Sequence, residues 1–228
     1  CANVVAPNEE TPRDRVLNKD EIRKVWFGLG EAQMSEGTRL AIRLLLLTGQ
    51  RNGEWAGARW EEFNLNEKWW TIPGERTKNK KSHRVFLTQM AIDILKQAEK
   101  LCGGSSWVFP SIKDGHITPR AISRAVRNNS EIRPKGHPKH KSPYGDFFKV
   151  GYFVPHDMRR TMATIMAESG VDEFHISKVL NHTTQGITGK VYNRYQYDVE
   201  KQKALETWER KLRSILFNEK SKVVNLKR

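Results

Sequence analysis

Apolar residues recur along most of this chain at helical spacing. Asn18 and Glu21 form a capping-box pair, and Ile22, Val25, Trp26 and Leu29 follow at intervals of three and four, which predicts a helix with one buried face. A second, Leu-rich helix is predicted over about 36–48, stopping at Gly49, a residue suited to the left-handed position that ends helices. The pattern then shortens. Phe63 and Leu65 precede an Asn-Glu-Lys turn, residues 69–72 are aromatic and β-branched, Pro73-Gly74 interrupts, and a third run covers 84–87. The loop before that third run contains Lys78, Lys80 and Lys81. Helical spacing returns over 88–101 through Met90, Ile92, Ile94, Leu95 and Ala98, and Thr118-Pro119 opens a further helix to about 127. Pro155 opens one that ends at Gly170, and Asp172 caps the next, to about 180. A short helix is expected around Tyr192, then a long one from near Asp198 with Leu205, Trp208, Leu212, Ile215 and Leu216 on one face. The expected fold class is mainly α with a small three-stranded antiparallel β-sheet.

The stretches between these elements suggest an organisation. Residues 1–17 lack apolar periodicity and read as a linker, 18–217 as one domain, and 218–228 as a basic tail. Residues 130–153 accumulate Pro, Gly, Lys and His, and a loop of that length is expected to be functional or mobile. No apolar run approaches the ~18 residues that span a bilayer, and the first residues lack a signal-peptide pattern. With only Cys1 and Cys102, neither a disulfide framework nor a cysteine zinc site is expected, and a reducing cytoplasm is the expected compartment. Charge adds more. Forty Lys and Arg against 26 Asp and Glu give +14 over 228 residues, spread along the chain rather than gathered on one helix. A polyanion is therefore the expected partner, since each neutralised phosphate releases counterions, and double-stranded DNA is favoured over a membrane surface.

Candidate chemistry lies at helix ends. Arg51 follows the Thr48-Gly49 stop and precedes Glu54, and a guanidinium held in such a turn can grip two oxygens of one phosphate. His156 and Arg159 share a helix face at spacing i, i+3, just after Pro155, where the helix N-terminus favours anions. His182 follows the end of the next helix. Tyr192 becomes reactive only if such cations surround it, because a free phenol has a pKa of about 10. No carboxylate cluster suggests a metal site; His116, His137 and His140 read as DNA-facing or solvated.

In order, Thr48-Gly49-Gln50-Arg51-Asn52-Gly53-Glu54, a hairpin lysine, His156-x-x-Arg159, Leu180-x-His182 and Tyr192-Asn193-Arg194 resemble the tyrosine recombinase family, nearest the integrases of satellite phages and genomic islands. Arg76-Thr77-Lys78, Val108-Phe109-Pro110 and the closing Ala204 to Trp208 tract fit the same pattern. The resemblance implies that family's catalytic-domain fold and DNA strand exchange through a 3′-phosphotyrosine, with no cofactor and with self-association into a tetramer on DNA. It implies Tyr192 as nucleophile, Arg51 and Arg159 on the phosphate oxygens, His182 as a further donor, His156 in proton transfer, Lys78 as general acid and Glu54 as the orienter of Arg51. Asn181 stands where many members have Gly, and the interval to Tyr192 is one residue longer than in many. Tyr195 and Tyr197 remain alternative nucleophiles, and Lys80 and Lys81 share the lysine loop. A type IB topoisomerase-like enzyme and a non-catalytic DNA-binding module are the rival readings.

Overall fold

The caps read from the sequence are formed in the structure, a computed structural model that describes residues 14–111, 115–130, 144–182 and 195–218. Helix α1 (Lys19–Gly28) starts on a complete capping box: the Asn18 side chain accepts the Glu21 N–H at 2.9 Å, and the Glu21 carboxylate accepts the Asn18 N–H at 2.9 Å. Helix α2 (Glu36–Thr48) begins at Ser35 and ends at Gly49, whose φ of 64° is left-handed. Its residues from Leu40 to Leu47 are buried apart from Arg43, because the later helices Gln89–Leu101, Pro119–Asn128, Pro155–Glu168 and Asp198–Phe217 all pack around it. Arg51 lies not in a simple turn, as its sequence context suggests, but at the N-cap of a short helix, α3 (Asn52–Ala56).

The three-stranded sheet has the order β1-β2-β3, antiparallel throughout: β1 (Phe63–Asn64), β2 (Trp69–Ile72) and β3 (His83–Phe86). Phe63 pairs with Trp70, and Trp70 with Val85. The Trp70 ring lies 4.1 Å from that of Trp55, which joins the sheet to α3. The third strand begins and ends one residue earlier than the apolar pattern suggests, because His83 also pairs, opposite Ile72. After α4 (Gln89–Leu101) comes a two-stranded ribbon that no periodicity announces, β4 (Pro110–Ser111) with β5 (Gly115–His116). Helices α5 (Pro119–Asn128), α6 (Pro155–Glu168), α7 (Glu173–Val179) and α8 (Asp198–Phe217) complete the described body. The short helix expected around Tyr192 lies outside the described residues. Trp208 of α8 is fully buried and donates its indole N–H to the Leu46 carbonyl at 3.0 Å. The start of α8 is fastened to β3 by an Arg84–Asp198 ion pair and by Lys201, whose ammonium donates to the Arg84 carbonyl at 3.0 Å. Among the described residues, no helix is long and apolar enough to cross a membrane.

Two buried positions hold the centre. A Cβ at Gly49 would lie 2.6 Å from Met162 Sδ and 2.9 Å from Leu180 Cδ2, so α2, α6 and α7 meet there only because the residue is glycine. Gly49→Ala adds both this clash and a left-handed alanine, and is expected to destabilise the fold by about 2 kcal/mol or more in urea denaturation. His83 is buried, with Nε2 3.1 Å from the Val179 carbonyl; burial, then the nearby Lys201 charge, pushes its pKa down to about 3. The unfolded chain binds this proton below about pH 6.5 and the folded chain only near pH 3. The stabilisation is therefore whole above pH 6.5 and lost as pH falls toward 3. Denaturation midpoints between about pH 7 and about pH 5 should fall with a slope of up to about 1.4 kcal/mol per pH unit from this group, a component that His83→Gln removes.

Candidate active site

The C-terminal ends of α2 and α7 leave carbonyls without helical partners, and the side chains that satisfy them build the site. Arg159, 4% exposed, projects from the first half of α6 and donates one guanidinium nitrogen to the Gly49 carbonyl and the other to the Leu180 carbonyl. Burial, then the Arg51 charge, pushes its pKa down to about 10, which leaves it a cation at neutral pH. Gln50, 1% exposed, donates its amide to the Thr48 carbonyl at 2.8 Å and to the Val179 carbonyl at 3.0 Å. The α7 end is thus gripped from α2, α6 and β3 at successive residues.

Arg51 is held from its own helix. The buried Glu54 carboxylate accepts the Arg51 backbone N–H at 2.7 Å and its guanidinium at 3.0 Å, so the charge is aimed by a partner three residues on. Glu54 is in turn fixed from the sheet side, where Arg76 donates to the Glu54 backbone carbonyl and pairs with Glu62. At the start of α6, Pro155 occupies the first turn and the buried Asp157 carboxylate accepts the Val154 N–H at 2.9 Å, which sets the direction of His156.

Arg51, His156 and Arg159 line one cleft of about 240 Å³ with Gln50, Asn52, Ser123, Val154 and Pro155. His182, exposed after the end of α7, is not among the residues that line the cleft; loss of hydration first, then the charges of Arg159 and Arg51, lower its pKa. His156 is lowered in the same way, by desolvation and then by Arg159 and Arg160. Both shifts favour the neutral ring, which has one N–H to donate and one nitrogen to accept a proton. Two guanidinium groups, one imidazole and a helix start around one cleft suit a tetrahedral oxyanion that must also exchange protons.

Not every expected residue reaches the cleft in this way. Lys78 is exposed in the β2–β3 connection, as are Lys80 and Lys81. Tyr192 lies outside the described residues, as do His137 and His140. His116 is half-buried and does not line this cleft; its ring packs 4.4 Å from that of Trp107. Tyr195, an alternative nucleophile, donates its phenol to Glu200 at 3.1 Å, and this bond raises its pKa, the reverse of what a nucleophile needs. Tyr197 packs 5.1 Å from the Phe174 ring. Gln50, Arg76 and Asp157 were not singled out as supports: Gln50 and Arg76 donate to backbone carbonyls whose position only the fold supplies, and Asp157 caps α6 at the Val154 N–H.

The phage integrase family profile matches residues 15–198. The prophage integrase IntA of Escherichia coli (strain K12) is 27% identical over 192 residues, covering 84% of this chain and 43% of the relative. The prophage integrase IntZ of the same organism is 30% identical over 181 residues, covering 77% and 40%. The integrase of Enterobacteria phage P4 is 26% identical over 185 residues, covering 75% and 39%. The chain therefore spans about two fifths of the length of these curated relatives. Among solved structures, the integrase from mycobacterium phage Brujita superposes with a TM-score of 0.63 at 17% identity, covering 90% of this chain and 61% of that one. XerA recombinase gives 0.58 at 19% identity, covering 88% and 65%.

If the imidazoles are held neutral by their surroundings, NMR titration should place the His156 and His182 midpoints below about 6.5. Arg51→Ala should raise both, and added inorganic phosphate should raise them further in the unmutated protein. Midpoints unmoved by either change would show that the cleft cations do not act on these rings.

Proposed function

The chain belongs to the phage integrase family, and from that premise we propose that it is the catalytic domain of a tyrosine recombinase, which cuts and rejoins double-stranded DNA for integration or excision of a mobile element. The observation that supports this reading most is the cleft lined by Arg51 at the start of α3 and by His156 and Arg159 of α6, two cations and an imidazole around one space. We assign the unit to residues 18–217, since α1 and α8 contribute to the same core.

In the proposed reaction the Tyr192 phenol attacks a backbone phosphorus. A Tyr192 Oη–P bond forms as the P–O5′ bond breaks, giving a 3′-phosphotyrosine. His156 takes up the phenolic proton, and Lys78 supplies a proton to the departing 5′ oxygen. Arg51 and Arg159 carry the charge that builds on the non-bridging oxygens, with His182 as a further donor. A guanidinium has five N–H donors, so Arg159 can face a phosphate while keeping its two carbonyl partners. Attack by a 5′ hydroxyl of another strand reverses the step. One phosphodiester replaces another, so the exchange needs no high-energy cofactor.

Recombination also requires several active sites on paired DNA duplexes. Solved relatives of this fold include a lambda integrase tetramer bound to a Holliday junction, and we propose self-association on DNA for this chain too, in the cytoplasm where its substrate lies.

Two substitutions test the scheme in the full-length protein on a nicked duplex carrying the crossover sequence. Tyr192→Phe should abolish the covalent protein–DNA adduct while leaving DNA binding intact; an unchanged adduct yield would remove Tyr192 as nucleophile. Lys78→Ala should slow cleavage by about 100-fold or more without loss of binding. Full cleavage by Lys78→Ala together with loss in Lys80→Ala would move the acid to Lys80. Supercoil relaxation without recombinant product would favour a topoisomerase.

A further inference from the structure

Lys78 is exposed, yet the turn that carries it is fixed on both sides. Before it, Arg76 is pinned to Glu62 and to the Glu54 carbonyl, and the buried Thr77 hydroxyl lies 2.8 Å from the Lys81 carbonyl. After it, the Asn79 side chain accepts the Lys81 N–H at 3.2 Å and donates its amide to the Asn181 side-chain oxygen at 2.7 Å. That last bond joins residues 102 apart in sequence and lands between Leu180, whose carbonyl holds Arg159, and His182.

Asn181 meets two demands there. Its φ is 51°, in the left-handed region that glycine and, among other residues, asparagine occupy most readily. Glycine would satisfy the backbone but offer no amide to the hairpin.

We propose that Asn79 and Asn181 form a latch that positions the lysine turn against the His182 segment, making both of them positioning residues for proton delivery by Lys78. The inference rests on the assignment of Lys78 as general acid. Through the latch, the turn is registered against the same three-residue stretch, 179–181, that already fixes Arg159 and Gln50. A general acid must meet a departing oxygen within hydrogen-bond reach, and small displacements of such groups reduce rates steeply.

The test compares two nicked duplexes in the full-length protein, one with the ordinary 5′ bridging oxygen and one with sulfur in its place, whose thiolate leaves without a proton. Asn79→Ala and Asn181→Gly, the latter keeping the backbone conformation, are expected to cleave the oxygen substrate about 10- to 100-fold more slowly than the unmutated protein. Both should cleave the sulfur substrate within about threefold of the unmutated rate, as Lys78→Ala should. Equal slowing on both substrates would overturn the latch, because the loss would not lie in proton delivery. Unmutated rates in both Asn variants, with Lys78→Ala slow on oxygen and restored on sulfur, would overturn the latch and leave the acid in place. Unmutated rates in Lys78→Ala would remove the acid and the latch together.

Discussion

Arg159 joins the ends of two helices, and the site depends on that junction. A buried guanidinium is costly unless its donors are satisfied, and the orphan carbonyls at a helix C-terminus are costly unless something donates to them. Each defect answers the other here: the end of α2 at Gly49 and the end of α7 at Leu180 both accept from one cation on α6. The carbonyl ends of helices also carry partial negative charge, which helps to hold the guanidinium in its ionised form against burial and the nearby Arg51. A residue proposed to stabilise a transition state is therefore also a structural tie, and removing it would leave two carbonyls unpaired. Functional and architectural roles cannot be separated at this position by truncation alone.

The same economy runs through the three residues before His182. The Val179 carbonyl receives the Gln50 amide and faces the His83 ring, the Leu180 carbonyl receives Arg159, and the Asn181 amide meets Asn79. Four side chains from three parts of the chain are thereby registered against one three-residue stretch. Pre-organisation of this kind matters for phosphoryl transfer, where the protein contributes placement and fixed charge more than bond chemistry. The outer layer supports it: Glu54 aims Arg51 and is itself backed by Arg76, which stands two residues before the lysine.

Local chemistry was legible in the sequence, and distant pairing was not. The Asn18–Glu21 box and the Gly49 stop each depend on residues within a few positions of one another, so spacing alone identifies them, whereas the Arg51–Glu54 pair was implied by the resemblance. The convergence of Arg51, His156 and Arg159 was suggested by their order along the chain, and the fold brings those three to one cleft. Asn79 carries no local signal, because its partner is 102 residues away, and Gln50 sits in a motif as an apparently arbitrary residue. The β4–β5 ribbon and α3 are too short to generate a period. Asn181 was visible as a departure from glycine, but its use as a hydrogen-bonding side chain required the hairpin to be placed.

The surroundings of Tyr195 count against it as the nucleophile. A nucleophilic phenol must lose its proton as it attacks, so neighbours that favour the anion help and carboxylates hinder. Tyr195 hydrogen-bonds to Glu200, and Asp198 adds to the same upward shift, so its neutral form is the one stabilised. The cations that would stabilise a phenolate lie instead around the cleft of Arg51 and Arg159. The His182 N–H donates to the Ser177 carbonyl at 2.9 Å, and Asp198 and Lys201 are fastened to β3. We propose Tyr192 over Tyr195 on two grounds: it opens the Tyr-Asn-Arg tract that resembles the family's, and the carboxylates beside Tyr195 favour its neutral phenol.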